Sequence, residues 1–121
     1  GALQAMTNAL YEAGINIWGS VTNDGAEYGI NRMVVSDPEK AKNVLTEKGY
    51  LCRFVDVLAV EIEDKPGALN TLLTALLDSN VNVDYTYLSF NRDSSTPVMI
   101  LHTADPEEVE ICLKAKGFKM C

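Results

Sequence analysis

The chain is written twice, and this limits its fold more than any other feature. Gly1-Ala2-Leu3 opens a stretch that closes on Gly14-Ile15-Asn16-Ile17. Gly67-Ala68-Leu69 opens another that closes on Asn80-Val81-Asn82-Val83, a displacement of 66 residues (Gly1 to Gly67). Further on, Ser36-Asp37-Pro38-Glu39 answers Ala104-Asp105-Pro106-Glu107, and Lys48-Gly49-Tyr50 answers Lys116-Gly117-Phe118, now displaced by 68 (Asp37 to Asp105). The register slips by two inside each copy, where a loop belongs. Solenoid units usually recur every ~20–50 residues, so a repeat of this length reads as a small domain. Function is to be sought in what two copies do together.

Each copy holds roughly 60 residues, a size at which a single core is marginal, so a fused and packed pair is expected. The boundaries read as 1–55 for the first domain and 56–121 for the second. A net charge of −7 excludes the basic face that nucleic acid or an anionic membrane requires. The apolar runs are too short to span a bilayer, and the first residues lack the basic start and apolar run of a secretory leader. Cys52, Cys112 and Cys121 are odd in number and scattered, which reads as reduced thiols in a cytoplasmic protein.

The second copy spells out its elements in order. Val57 to Ile62 is a β-branched-rich run of strand length. Asp64-Lys65-Pro66-Gly67 breaks it, with Pro66 suited to a first helical turn. Leu69, Leu72, Leu73, Leu76 and Leu77 then give one apolar helical stripe, ended by Ser79-Asn80. Val81, Val83, Tyr85 and Tyr87 alternate with polar residues, the pattern of a strand covered on one face. Asn91 to Ser95 is turn chemistry, and Val98 to His102 makes the returning strand. Asp105-Pro106 starts a second helix striped by Val109, Cys112 and Leu113; Gly117 ends it, and Phe118 to Cys121 begins a last strand. The order is β-α-β-β-α-β, a ferredoxin-like α+β arrangement.

The first copy repeats this with one omission. Leu3, Met6, Leu10 and Ala13 line its first helix, Ile15 to Thr22 and Tyr28 to Val35 form the hairpin, and Asp37-Pro38 caps a helix whose Ala41, Val44 and Leu45 face inward. Tyr50 to Val55 is its last strand. Its first strand is absent from the residues given. That strand is internal in a ferredoxin-like sheet, so a clipped N-terminus is expected.

A strand, then Asp64-Lys65-Pro66-Gly67-Ala68-Leu69, a leucine-striped helix, then Val81-Asn82-Val83 resembles the ACT domain. Gly1-Ala2-Leu3 and Ile15-Asn16-Ile17 keep the same places in copy one, so the likeness covers nearly the whole chain. It is closest in kind to small stand-alone proteins made of two ACT copies. The resemblance implies two ferredoxin-like domains packed side by side, with strands merging into a larger sheet. It also implies a module that binds a free amino acid, at the loop before the first helix and at the Asn that opens the second strand.

The residues themselves support such a site. A helix N-terminus offers unpaired N–H groups and partial positive charge to a carboxylate, at Gly67, Ala68 and Leu69. Asp64 is placed to accept from an ammonium, and Asn82 carries both a donor and an acceptor. The same residue types are ordinary turn and cap residues, which is the alternative for each of them. Copy one keeps Gly1, Ala2, Leu3 and Asn16, and puts Trp18 where copy two has Asp84. Trp18 either floors a pocket or covers the partner copy. Arg32 stands where copy two has Ile100, and is satisfied by an internal acid such as Glu27 or Asp24, by solvent, or by a ligand carboxylate.

Catalytic constellations are missing. His102 is the only histidine, no Ser or Cys has a nucleophile context, and no metal-ligand cluster or phosphate loop is present. The expectation is a non-catalytic sensor, without metal or cofactor, that binds a small amino acid where the two copies meet and forms a homodimer. The alternative is a ligand-free assembly module or the regulatory subunit of a separate metabolic enzyme.

Overall fold

The structure, a computed structural model, describes residues 1–24, 29–90, 93 and 96–121, the side chains of Ala2 and Asp24 excepted. It is α+β, with four helices and two antiparallel sheets divided between two units, Gly1–Val55 and Asp56–Cys121. The first unit runs α1 (Ala2–Glu12), β1 (Ile17–Asp24), β2 (Gly29–Val35) and α2 (Pro38–Glu47). The second runs β3 (Leu58–Glu61), α3 (Ala68–Asp78), β4 (Val83–Phe90), β5 (Pro97–Thr103) and α4 (Pro106–Ala115).

The Asp-Pro steps start the second helix of each unit, because Pro at the first helical position gives up an N–H that would be orphaned anyway. Asp37 caps α2 by accepting from the Lys40 N–H at 3.2 Å. Asp105 occupies the same place on α4 but caps no backbone N–H. Instead its side chain hydrogen-bonds Glu108, and that bond, followed by the Asp105 charge, holds the Glu108 carboxyl above the ordinary carboxylate range. Each unit has its own core. Leu10 is fully buried with Met6, Ile15, Val35, Ala41 and Leu45 in the first. Leu72, Leu101 and Leu113 are fully buried with Val60, Leu76, Met99 and Val109 in the second. Each such leucine contributes about 1.5–3 kcal/mol by transfer from water.

The sheet of the second unit has the order β3-β5-β4, and Met120 bridges antiparallel to Val60 on the free side of β3. The counterpart of that last step, Tyr50 to Val55, forms no strand. Met120 is held by β3, whereas Tyr50 to Val55 pairs with no strand among the described residues. Tyr50 and Cys52 still pack on the core, the Lys42 ammonium lies 4.9 Å from the centre of the Phe54 ring, and Leu51 is fully exposed.

Two further expectations change. Val83 packs with the helices but Tyr85 and Tyr87 do not, because the β4–β5 register shifts between Val83 and Tyr85. The bulge at Asp84 flips every later residue of β4, so Tyr85, Tyr87 and Ser89 share a face with Val98, Ile100 and His102. Thr86, Leu88 and Phe90 turn to the helix side. Unit one has the same irregularity at the equivalent place, between Ile17 and Gly19, with Trp18 as the extra residue. The five-leucine stripe also divides. Leu72 and Leu76 are buried, while Leu69 and Leu73 (43 %) and Leu77 (75 %) stay exposed. The turn expected at Asn91 to Ser95, the start of β2 at Tyr28 and the Glu27 carboxylate lie outside the described residues, apart from Asp93, as does the Asp24 side chain.

Candidate functional site

Between β3 and α3 the chain turns through residues 64–67, and Gly67 ends the turn at φ 87°, ψ −7°. That left-handed conformation suits glycine and cannot continue into a helix, so α3 begins at Ala68 and Pro66 belongs to the turn. The Ala68 N–H donates to the Lys65 carbonyl at 3.3 Å, and the Thr71 N–H donates to the Gly67 carbonyl at 2.9 Å. Between them, the Leu69 and Asn70 N–H groups have no partner among the described residues, and no side chain caps the helix. An open helix N-terminus of this kind attracts an anion.

A cleft of about 520 Å³ opens beside it. Its rim is Glu63, Asp64 and Lys65, and one wall is the first turn of α3, Gly67 to Asn70. The other wall is the helix-side face of the sheet, Ile62, Leu88, Phe90 and Pro97. Lys65 Nζ is held by Glu63 Oε2 at 2.8 Å, an exposed pair that adds little stability but occupies the one rim cation among the described residues. The Asp64 carboxylate has no partner among the described residues. The cleft therefore presents a free carboxylate and two free N–H donors over an apolar wall.

Four of the expected site residues meet here: Asp64, Gly67, Ala68 and Leu69. Asn82 does not. It is exposed just before Val83, at the opposite end of β4 from Phe90, roughly 25 Å away at ~3.3 Å per strand residue. In unit one, Gly1 is the N-cap of α1, again with no side-chain cap, and Leu3 is half exposed in its first turn; Ala2 is described in backbone only. The Asn16 backbone closes the foot of the hairpin. Its N–H donates to Ser36 Oγ, and its carbonyl accepts from the Ser36 N–H, both at 2.9 Å. Trp18 is half-buried at the bulge, and Arg32 is half-buried opposite Val21, on the face away from Met33 and Val35. The cleft detected in unit one lies elsewhere, along α1 between Gln4 and Glu12 and against Lys48 and Tyr50.

Leu88 and Phe90 are the residues that sequence reasoning missed. Their signal was an apolar pair in phase with Thr86 rather than with Tyr85 and Tyr87, and it becomes readable once the bulge is known. His102 Nδ1 lies 2.8 Å from Asp84 Oδ2, and its ring stacks on Tyr85 at 4.8 Å. This pair sits on the sheet face away from the cleft. Among the described residues no group of three potential ligands is arranged for a metal ion, and no helix is long and apolar enough to cross a membrane.

A family model described as an ACT domain pair matches residues 1–118. Among solved structures, the chain is similar to protein BT0572 from Bacteroides thetaiotaomicron, with a TM-score of 0.87 and 26 % identity. That match covers 100 % of this chain and 83 % of that one. No curated protein matches.

Proposed function

The chain belongs to the ACT domain pair family, and on that premise we propose that it is a non-catalytic regulatory protein that binds a free amino acid in the cleft of its second copy. ACT domains are regulatory, small-ligand-binding modules. One observation carries the finer reading: the Asp64 carboxylate and the open Leu69 and Asn70 N–H groups border the same cleft without partners of their own among the described residues. A zwitterion on one carbon needs this pair of opposite charges. Its ammonium meets Asp64, and its carboxylate meets the start of α3. Binding acts on a target by favouring one arrangement of the protein over another.

The test is a thermal-shift screen of the protein against the twenty amino acids. A ligand at ~100 times its dissociation constant adds roughly 2.7 kcal/mol of stability. Asp64→Asn removes a charge-assisted bond and weakens binding about 10-fold or more. Asn82→Ala reports whether the amide distant from this cleft contributes as well. If no amino acid shifts the midpoint, the sensor reading falls.

A second reading has its own support. Leu73 and Leu77 continue the exposed apolar line from Leu69 down α3, a helix with no charged residue before Asp78. Such a line suits assembly, with another copy of the chain or with a separate metabolic enzyme. Light scattering of the wild type and of Leu77→Lys decides it. A single monomer mass for both removes the self-assembly form, and the absence of a stoichiometric co-purifying enzyme removes the other.

A further inference from the structure

The amino-acid reading leaves the ligand's side chain open, and the wall of the cleft speaks to it. Leu88 and Phe90 are each 50 % exposed although they stand on the helix side of the sheet. Leu69 lies across from them at the start of α3, also partly exposed, and Ile62 and Pro97 complete the surface. Among the described residues, these large apolar groups face the cleft rather than a packed neighbour. We infer that the cleft selects an amino acid with an apolar side chain of leucine to phenylalanine size, which covers Leu69, Leu88 and Phe90; this rests on the amino-acid reading above.

The argument has two sides. An apolar side chain gains by removing both its own surface and that of Leu88 and Phe90 from water. A charged or amide side chain loses hydration against the same wall and finds no free partner there among the described residues. Lys65 is already held by Glu63, while Asp64 and the helix start are taken by the ligand's ammonium and carboxylate. Glycine and alanine fit but leave the wall wet. Selection thus comes from the wall, and anchoring comes from the rim.

The experiment is titration calorimetry of the 121-residue chain with leucine, phenylalanine, alanine, serine, aspartate and lysine, repeated on Leu88→Ser and Phe90→Ser. Both substitutions are at half-exposed positions, and circular dichroism confirms that each variant is folded. Leucine or phenylalanine is expected to bind at least about 10-fold tighter than alanine or serine, as ~0.8 kcal/mol per buried CH₂ implies. That preference shrinks in the two variants. If serine, aspartate or lysine binds tightest, and Asp64→Asn abolishes it, the side-chain inference is overturned and the sensor reading stands. If nothing binds, both fall together.

Discussion

Copy one and copy two begin their first helices with the same three residues, and among the described residues the cleft beside such a helix start lies in copy two. Gly1 and Gly67 are both N-cap glycines on helices without a side-chain cap. Around Gly67, β3 delivers Ile62, Glu63, Asp64 and Lys65 to the helix start, and a cleft results. The helix motif makes an anion-attracting end, and in copy two the strand and turn before it add the rim of the cleft. The opposite walls differ as well. Where Leu88 and Met99 pair across the copy-two sheet, copy one pairs Thr22 with Asn31. Asn31 Nδ2 donates to Ser20 Oγ at 2.9 Å and to Thr22 Oγ1 at 2.8 Å, while its Oδ1 is buried without a partner among the described residues. Copy one thus carries a hydrogen-bonded polar face where copy two carries a bare apolar one.

The comparison breaks most directly in the cores. Leu101→Ala empties a fully buried site in β5 and is expected to cost about 2–5 kcal/mol in urea unfolding followed by far-UV circular dichroism. Trp18 is the single tryptophan and lies in copy one, so its fluorescence follows the unfolding of that copy. Because the two cores are separate clusters, the fluorescence midpoint should move less than the dichroism midpoint. Equal shifts mean that the copies unfold as one, and the contrast drawn between them has no energetic counterpart.

A smaller effect sharpens the difference between the walls. Asn31→Met copies the residue of copy two. It removes an unpaired buried oxygen and returns two exposed hydroxyls to water, so a gain of about 1 kcal/mol is expected in the same unfolding assay. A loss of stability would show that the polar trio holds the copy-one hairpin together.

The smallest effect separates the two Asp-Pro helix starts. Glu108 has its carboxyl raised above 4.5 by Asp105, so the folded state favours its protonated form. That contribution is present below the ordinary value and is lost as pH rises through the raised one. Glu108→Gln keeps a hydrogen bond to Asp105 without the repulsion. Its melting temperature should therefore rise slightly relative to wild type at pH 7, and differ little at pH 4. A rise of the same size at both pH values removes the carboxyl pair as its cause.

Much of the architecture was legible because its signals are local. Asp37-Pro38, Asp105-Pro106 and Gly117 mark helix ends by chemistry confined to one turn, and Leu72 and Leu76 mark the buried face of α3 by spacing. Asn80 takes a left-handed φ of 56° where Gly14 stands in copy one, as a helix-ending Asn does. What was not legible depended on partners. Tyr50 to Val55 has strand composition but pairs with no strand among the described residues. Five leucines cover more of α3 than one core can bury. Val81, Val83, Tyr85 and Tyr87 alternate without interruption, so nothing in the pattern discloses the extra residue between them. The cleft's rim was readable as Asp64 and Gly67, whereas its wall required that register.

The irregularity at Asp84 works as a parity switch. Whether one residue is bulged or paired decides which half of an alternating strand a ligand meets, without altering any of the residues beyond it. Were Asp84 drawn into the ladder opposite His102, every later residue of β4 would slip by one partner, and Tyr87 and Ser89 would face the cleft in place of Leu88 and Phe90. An oily wall would become a hydroxyl-bearing one through a change of pairing near the far end of the strand. Specificity in such a fold is therefore open to change by a slip of register, as well as by substitution at the site itself.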